Sequence, residues 1–144
     1  MGPVTVDKII VTPLNRIPVL GGDVLKVMKQ SDIGFIGFGE SYFSYAEKGI
    51  TKAWKCHLNM TLNLVVPIGE IHFVFIDNFG NRREERIGES CYVRLTVPPN
   101  IWFGFQGISD RTALLLNIAD IEHTPNEVER KKLSEFDYNW ELNK

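Results

Sequence analysis

The chain has 144 residues, 44% of them apolar, and its 16 basic and 18 acidic side chains give a formal net charge of −2. That length suits a single domain, 1–144, with its own core. The even charge balance argues against an electrostatic nucleic-acid binder. No run of about 18 apolar residues indicates a membrane span. The N-terminus lacks a basic region followed by an apolar one, so no secretory leader is expected. Met1-Gly2 resembles the start of a myristoylation signal, but Val6 stands where that signal needs Ser or Thr. Cys56 and Cys91 lack CxxC spacing and read as reduced thiols of a cytoplasmic protein.

The pattern along the chain has a period of two. Lys8–Val11, Asp23–Lys29 and Phe35–Ala46 read as strands, with a turn at Gly21-Gly22 and another at Lys48-Gly49. Two strand-like runs between Lys52 and Asp77 meet at Pro67-Ile68-Gly69. In them Leu62, Leu64 and Val66 alternate with Thr61, Asn63 and Val65, and Ile71, Phe73 and Phe75 with His72, Val74 and Ile76. Asn78-Phe79-Gly80-Asn81 is a turn, Tyr92–Val97 alternates again, and Pro98-Pro99-Asn100 breaks it. Ala113–Ile118 is a further apolar run after Ser109-Asp110. Many short strands divided by such turns imply an all-β sandwich or barrel. Only the tail differs. Thr124-Pro125 reads as the cap and first position of a short helical segment, and Glu127–Lys132 reads as its solvated face.

His57 is the leading candidate for chemistry, because imidazole titrates near neutrality. Lys55 lies two residues earlier, so on a strand it shares the face of His57 and is placed to hold an oxyanion. Lys52, Lys55 and Arg94 are the cations expected to meet a diphosphate, since each lies in a strand. Trp102, in the aromatic run Ile101–Phe105, is the candidate for stacking on a ring. Tyr42 and Tyr45 offer phenols, and Thr61 and Asn63 are placed to bond sugar hydroxyls. His72 reads as a packing residue and His123 as exposed. The three histidines have no metal-ligand spacing, so neither a metal nor a cofactor is expected.

At this point the chain resembles the cupin-type sugar-nucleotide enzymes of the dTDP-4-dehydrorhamnose 3,5-epimerase family and its short relatives, the sugar 3,4-ketoisomerases. Gly49–Lys55 is similar to the family's G-V-L-R-G-L-H segment. Val65-Val66-Pro67-Ile68-Gly69 followed by Phe75-Ile76-Asp77 is similar to the strand–Gly–strand that comes next. Arg94–Phe105 is similar to Q-L-x-I-P-x-G-F-A-H-G-F, Leu115–Asp120 to L-Y-K-x-T-D, and Tyr138-Asn139-Trp140 to the closing I-D-W. The likeness runs from about residue 35 to 140 in the family's order. It implies a double-stranded β-helix (cupin or jelly-roll) barrel and a homodimer sharing N-terminal strands. It also implies a metal-free pocket for a nucleotide-linked 4-keto sugar, worked by proton transfer beside the ketone.

The departures bear on mechanism. The family's base histidine falls on Lys55, its second pocket histidine on Phe103, and its acid tyrosine on Leu116. The base-orienting aspartate lies beyond the closing tryptophan, and the family's arginine falls on Lys52. His57 resembles the second histidine of the W-H-x-H or W-K-x-H pattern of the short relatives. Two readings follow. One is an isomerase or epimerase in which His57 shuttles the proton, Lys55 polarises the carbonyl, and Lys52 and Arg94 hold the diphosphate. The other is a non-catalytic cupin that binds a sugar or nucleotide sugar in polysaccharide biosynthesis.

Overall fold

The computed structural model describes residues 2–143; Met1 and Lys144, at the ends of the expected domain, lie outside the described residues. Two five-stranded antiparallel sheets face each other. In order across the first are β1 (Ile10–Pro13), β9 (Val93–Val97), β6 (Leu62–Ile68), β11 (Ala113–Ala119) and β4 (Glu40–Ala46). Across the second are β12 (Val128–Arg130), β5 (Thr51–His57), β10 (Trp102–Gly107), β7 (Glu70–Ile76) and β8 (Arg82–Gly88). A two-stranded hairpin, β2 (Arg16–Ile17) and β3 (Val24–Leu25), stands apart. This is the all-β double-stranded β-helix barrel of the cupins. Among the described residues no helix is long and apolar enough to cross a membrane.

Alternation builds the core. Leu62, Leu64 and Val66 of β6 turn inward with Leu95, Val97 and Leu115, and they meet Phe73, Phe75, Phe103 and Phe105 from the second sheet. Each buried Phe or Leu contributes about 1.5–3 kcal/mol, and the four rings touch in sequence, Phe73 to Phe105 at 5.4 Å and Phe75 to Phe103 at 6.4 Å. The β6–β7 hairpin turns at Gly69. Its φ of 77° is left-handed, and a Cβ there would lie 2.7 Å from the Ala113 Cα, so glycine is required twice over.

A second apolar layer covers the outer face of the second sheet. Trp54, Cys56, Val74, Ile76 and Trp102 lie under Phe136, Tyr138 and Trp140 of the tail. In the tail Thr124 and Pro125 take the expected cap and first positions of a short 3₁₀ turn, but the charged run after it is not helical. The tail holds single 3₁₀ turns at Pro125–Glu127, Leu133–Glu135 and Trp140–Asn143, and between the first two the charged run forms β12, an edge strand on β5. Asp23–Lys29 and Phe35–Ala46 are extended only over Val24–Leu25 and Glu40–Ala46. β8 was hidden by its sequence, RREERIG: an edge strand carries charge on both faces, which erases the apolar alternation.

Candidate functional site

The site begins with an irregularity in β5. Opposite β10 the register runs Phe103 to Lys55, Gly104 to Ala53, Phe105 to Lys52, so Trp54 is an extra residue. The bulge reverses the alternation. Lys52 and Lys55, three apart, therefore both turn to the inner face with Phe103 and Phe105. There they line a cavity of about 350 Å³ together with Ser44, Ala53, Trp54, Arg130 and Lys131. Lys52 Nζ donates to the Tyr45 carbonyl at 2.8 Å and rides 5.9 Å above the Phe105 ring. Among the described residues neither Lys55 nor Arg130 has a side-chain hydrogen bond or ion pair. Burial, then Arg130 and Lys52, push the Lys55 amine below the usual lysine range.

His57 also faces inward, but it is not among the residues that line this cavity. It is 5% exposed and its ring stacks on Phe103 at 6.1 Å. Its Nδ1 is hydrogen-bonded to the Glu127 carboxylate, which also accepts from the backbone N–H groups of Asn59 and Met60, each at 3.2 Å. Burial lowers the His57 pKa and outweighs the opposing pull of Glu127. Burial would raise Glu127, yet the His57 and backbone hydrogen bonds hold it below the usual glutamate range. The stable state is thus neutral imidazole beside carboxylate. Nδ1–H donates to Glu127, which leaves Nε2 as a free base; among the described residues Nε2 makes no hydrogen bond.

The facing wall comes from β4 and β11. Tyr42 stands directly opposite Asn117, whose side-chain nitrogen donates to the phenol oxygen at 3.0 Å. Burial, Glu40 and Glu127 together raise the Tyr42 pKa, while the Asn117 bond lowers it. Glu40, at the start of the same strand, accepts from the backbone N–H of His123. His123 is exposed, as expected. His72 does not approach this site. On the outer face of the second sheet it binds Glu84 at 2.9 Å, and Arg86 donates to its Nδ1 at 3.1 Å.

Lys52, Lys55, His57 and Tyr42 therefore lie on inner faces of the two sheets, although Lys52 is exposed and Tyr42 keeps 38% of its surface in solvent. Arg94 and Asn63 do not, which corrects their expected contact with a ligand in the barrel, and Trp102 lines a separate cavity on the outer face with Asp77, Arg82 and Phe136. Leu95 and Leu64 point inward, so Arg94 and Asn63 point outward. Arg94 is fully buried there under the strap of residues 27–34. It donates to the carbonyls of Val27 (2.6 Å) and Ile33 (2.9 Å) and to Asn63 Oδ1 (3.2 Å), and pairs with Asp32. Asn63 in turn donates to the Gly34 carbonyl at 3.0 Å. A guanidinium spent in this way has no fork left for a phosphate. Trp102 lies in the outer layer, 5.9 Å from Phe136 and 4.7 Å from the Lys131 ammonium. Thr61 precedes β6, and its backbone N–H is held by Asp120 at 2.7 Å.

Glu127, Arg130 and Asn117 escaped the sequence reading. Glu127 sits 70 residues from His57 in a run that looks like a solvated charged face, and no local pattern ties the two together.

No protein-family model and no curated protein sequence matches the chain. Among solved structures, a dTDP sugar isomerase from Desulfovibrio desulfuricans G20 is 33% identical over 94% of this chain and 92% of that one, with a TM-score of 0.90. The chain belongs to the cupin-fold dTDP-sugar isomerase and epimerase family. The same fold recurs in a dTDP-4-dehydrorhamnose 3,5-epimerase from Sulfolobus tokodaii (21% identity, 90% and 80% coverage, TM-score 0.78). It recurs again in a sugar 3,4-ketoisomerase from Thermoanaerobacterium thermosaccharolyticum in complex with TDP (15%, 88% and 90%, 0.75). Within this family the substituted positions take on physical meaning. Phe103 fills space against His57, and Leu116 lines a groove on the outer face of the first sheet with Phe38 and Ile118, so it faces away from the barrel. The phenol that does reach the interior is Tyr42, one strand over.

Proposed function

We propose that this protein is a nucleotide-sugar isomerase or epimerase that moves a proton next to the ketone of a dTDP-4-keto-6-deoxyhexose, using side chains alone. The observation that carries the reading is the juxtaposition of Lys55 and Arg130, two cations that among the described residues make no side-chain hydrogen bond or close ion pair, with the His57–Glu127 pair nearby. Cations left unpaired over an apolar floor await an anion. Lys52 and Arg130 meet the diphosphate, and Lys55 Nζ polarises the ketone oxygen and stabilises the enolate. His57 Nε2 removes the α-proton, with Glu127 fixing the tautomer and stabilising the imidazolium. Tyr42 returns a proton, so the product is an isomer of the substrate, and solvent then carries the imidazolium proton back to the phenolate. A cavity of about 350 Å³ is at the small end of ligand sites and holds the sugar and phosphates, with the nucleoside outside.

One observation favours the alternative, a non-catalytic nucleotide-sugar-binding cupin. His57 is 5% exposed with its ring stacked on Phe103, and it is not among the residues that line the cavity. Proton NMR of dTDP-4-keto-6-deoxyglucose with the protein in D₂O separates the two. Deuterium at C3 or C5, or a new keto sugar, that vanishes in His57→Ala while nucleotide binding persists supports the enzyme. Line broadening without exchange supports the binding protein. Exchange that stops on addition of EDTA refutes the metal-free mechanism.

The same reading includes a homodimer. Phe43 and Tyr45 on the outer side of β4, and Ile33, Ile36 and Phe38 of the segment before it, are 63–70% exposed, apolar surface that a second copy would cover. Sedimentation should give twice the 16.4 kDa chain mass. With Cys56 and Cys91 both free thiols, the proposed setting is the cytoplasm, supplying polysaccharide biosynthesis.

A further inference from the structure

Asn117 is almost wholly buried, and only half of its amide is used. Its nitrogen donates to the Tyr42 phenol oxygen at 3.0 Å, while its Oδ1 is buried without a hydrogen-bond partner among the described residues. Leu115 and Ala119 flank it on β11 and Leu64 lies opposite on β6, while Tyr42 faces it from β4. A buried amide with an orphan acceptor costs stability that a leucine of similar size would not. A polar group held at a net cost beside these leucines points to a task other than folding.

The geometry points to Asn117 as a positioning residue for Tyr42: by donating to the phenol oxygen it turns the hydroxyl hydrogen away from β11 and supports the phenolate left after proton delivery. The inference rests on the proton-transfer role given to Tyr42 above and deepens it. A phenol whose oxygen already accepts the Asn117 N–H has its own hydrogen free for another acceptor. When that hydrogen leaves, the same N–H becomes a charge-assisted bond to the anion, which strengthens as charge develops. Burial, then Glu40 and Glu127, raise the Tyr42 phenol, and the Asn117 hydrogen bond is the influence that opposes them. The arrangement substitutes for the acid lost at Leu116, whose side chain faces the outer groove.

Asn117→Leu tests this against a merely structural role, because the two predict opposite signs. The variant should melt at or above the wild-type temperature. Its Tyr42 phenol, followed by NMR of ¹³C-labelled tyrosine and assigned with Tyr42→Phe, should titrate at higher pH than in the wild type. Deuterium exchange into dTDP-4-keto-6-deoxyglucose should fall about 10- to 100-fold, with no further loss when Asn117→Leu is added to Tyr42→Phe. An unchanged Tyr42 titration overturns the inference, as does a lower melting temperature with exchange per folded molecule intact. If the wild type itself exchanges nothing, the isomerase reading fails, and the titration and melting results still decide whether Asn117 positions Tyr42.

Discussion

Glu127→Gln is the most informative single change, since it removes a charge while nearly preserving shape. The carboxylate accepts three hydrogen bonds, from His57 Nδ1 and from the N–H groups of Asn59 and Met60, in a residue 3% exposed. The amide has only one acceptor oxygen. If it stays on the two backbone donors, its NH₂ group confronts the Nδ1–H of His57, and the ring must change tautomer or turn. Losing one charge-assisted bond and leaving a buried donor unmatched costs about 2–3 kcal/mol. For a chain of this length that is a fall in Tm of about 6–9 °C. The tautomer change places the proton on Nε2, where the base is needed. Exchange at the sugar should therefore fall at least about 100-fold, the lower end of what a general base contributes. Urea unfolding and D₂O exchange measure the two losses separately. A variant within about 0.5 kcal/mol of wild type, with exchange intact, would show that Glu127 neither anchors the tail nor fixes His57, and the argument for the pair collapses.

Stability should fall on acidification in two stages. Burial lowers the pKa of both His57 and His72, so the folded state binds fewer protons than the unfolded chain below about pH 6.5. Loss therefore begins there and deepens as each histidine is forced to charge. Glu127 and Glu84, both held low, add a second loss below the glutamate value of 4.5. Urea midpoints from pH 8 to 4 should show both stages, and a flat profile between pH 7 and 5 would contradict the buried neutral histidines. Arg94→Met leaves the Val27 and Ile33 carbonyls without their donor and should cost about 3–5 kcal/mol, with dTDP affinity of the folded fraction unchanged by calorimetry. Loss of affinity with stability intact would restore Arg94 as a ligand contact. Arg130→Ala should do the reverse. Stability should hold within about 0.5 kcal/mol while dTDP binds about tenfold more weakly, a difference that shrinks as salt is raised.

The comparison of Arg94 with Lys55 shows where local pattern stops being informative. Both are cations in alternating strands, and nothing in their immediate sequence distinguishes them. Lys55 faces the interior because β5 pairs with β10 through Phe103, and Arg94 faces a covering strap because Leu95 beside it takes the interior. The same limit hid Glu127. A carboxylate in a charged run is solvated by default, and only the pairing of β12 with β5 carries it over His57. Trp102 shows the same limit: its sequence does not tell that it sits in the outer layer under Phe136 rather than inside the barrel.

What the sequence by itself determined is the set of strands with an apolar face, the turns between them and, through the ordered segments from Gly49 to Trp140, the family and its barrel. These are local properties: backbone alternation and turn chemistry are set within a few residues. It also determined that Lys55 and His57 share a face, because two residues of strand separate them. Tertiary structure alone decided which faces meet across the barrel. The bulge at Trp54 added Lys52 to the cavity, and the tail supplied Glu127 and Arg130. Burial against distant segments then set the charge of each group, since a side chain's solvation depends on what covers it and not on its neighbours along the chain.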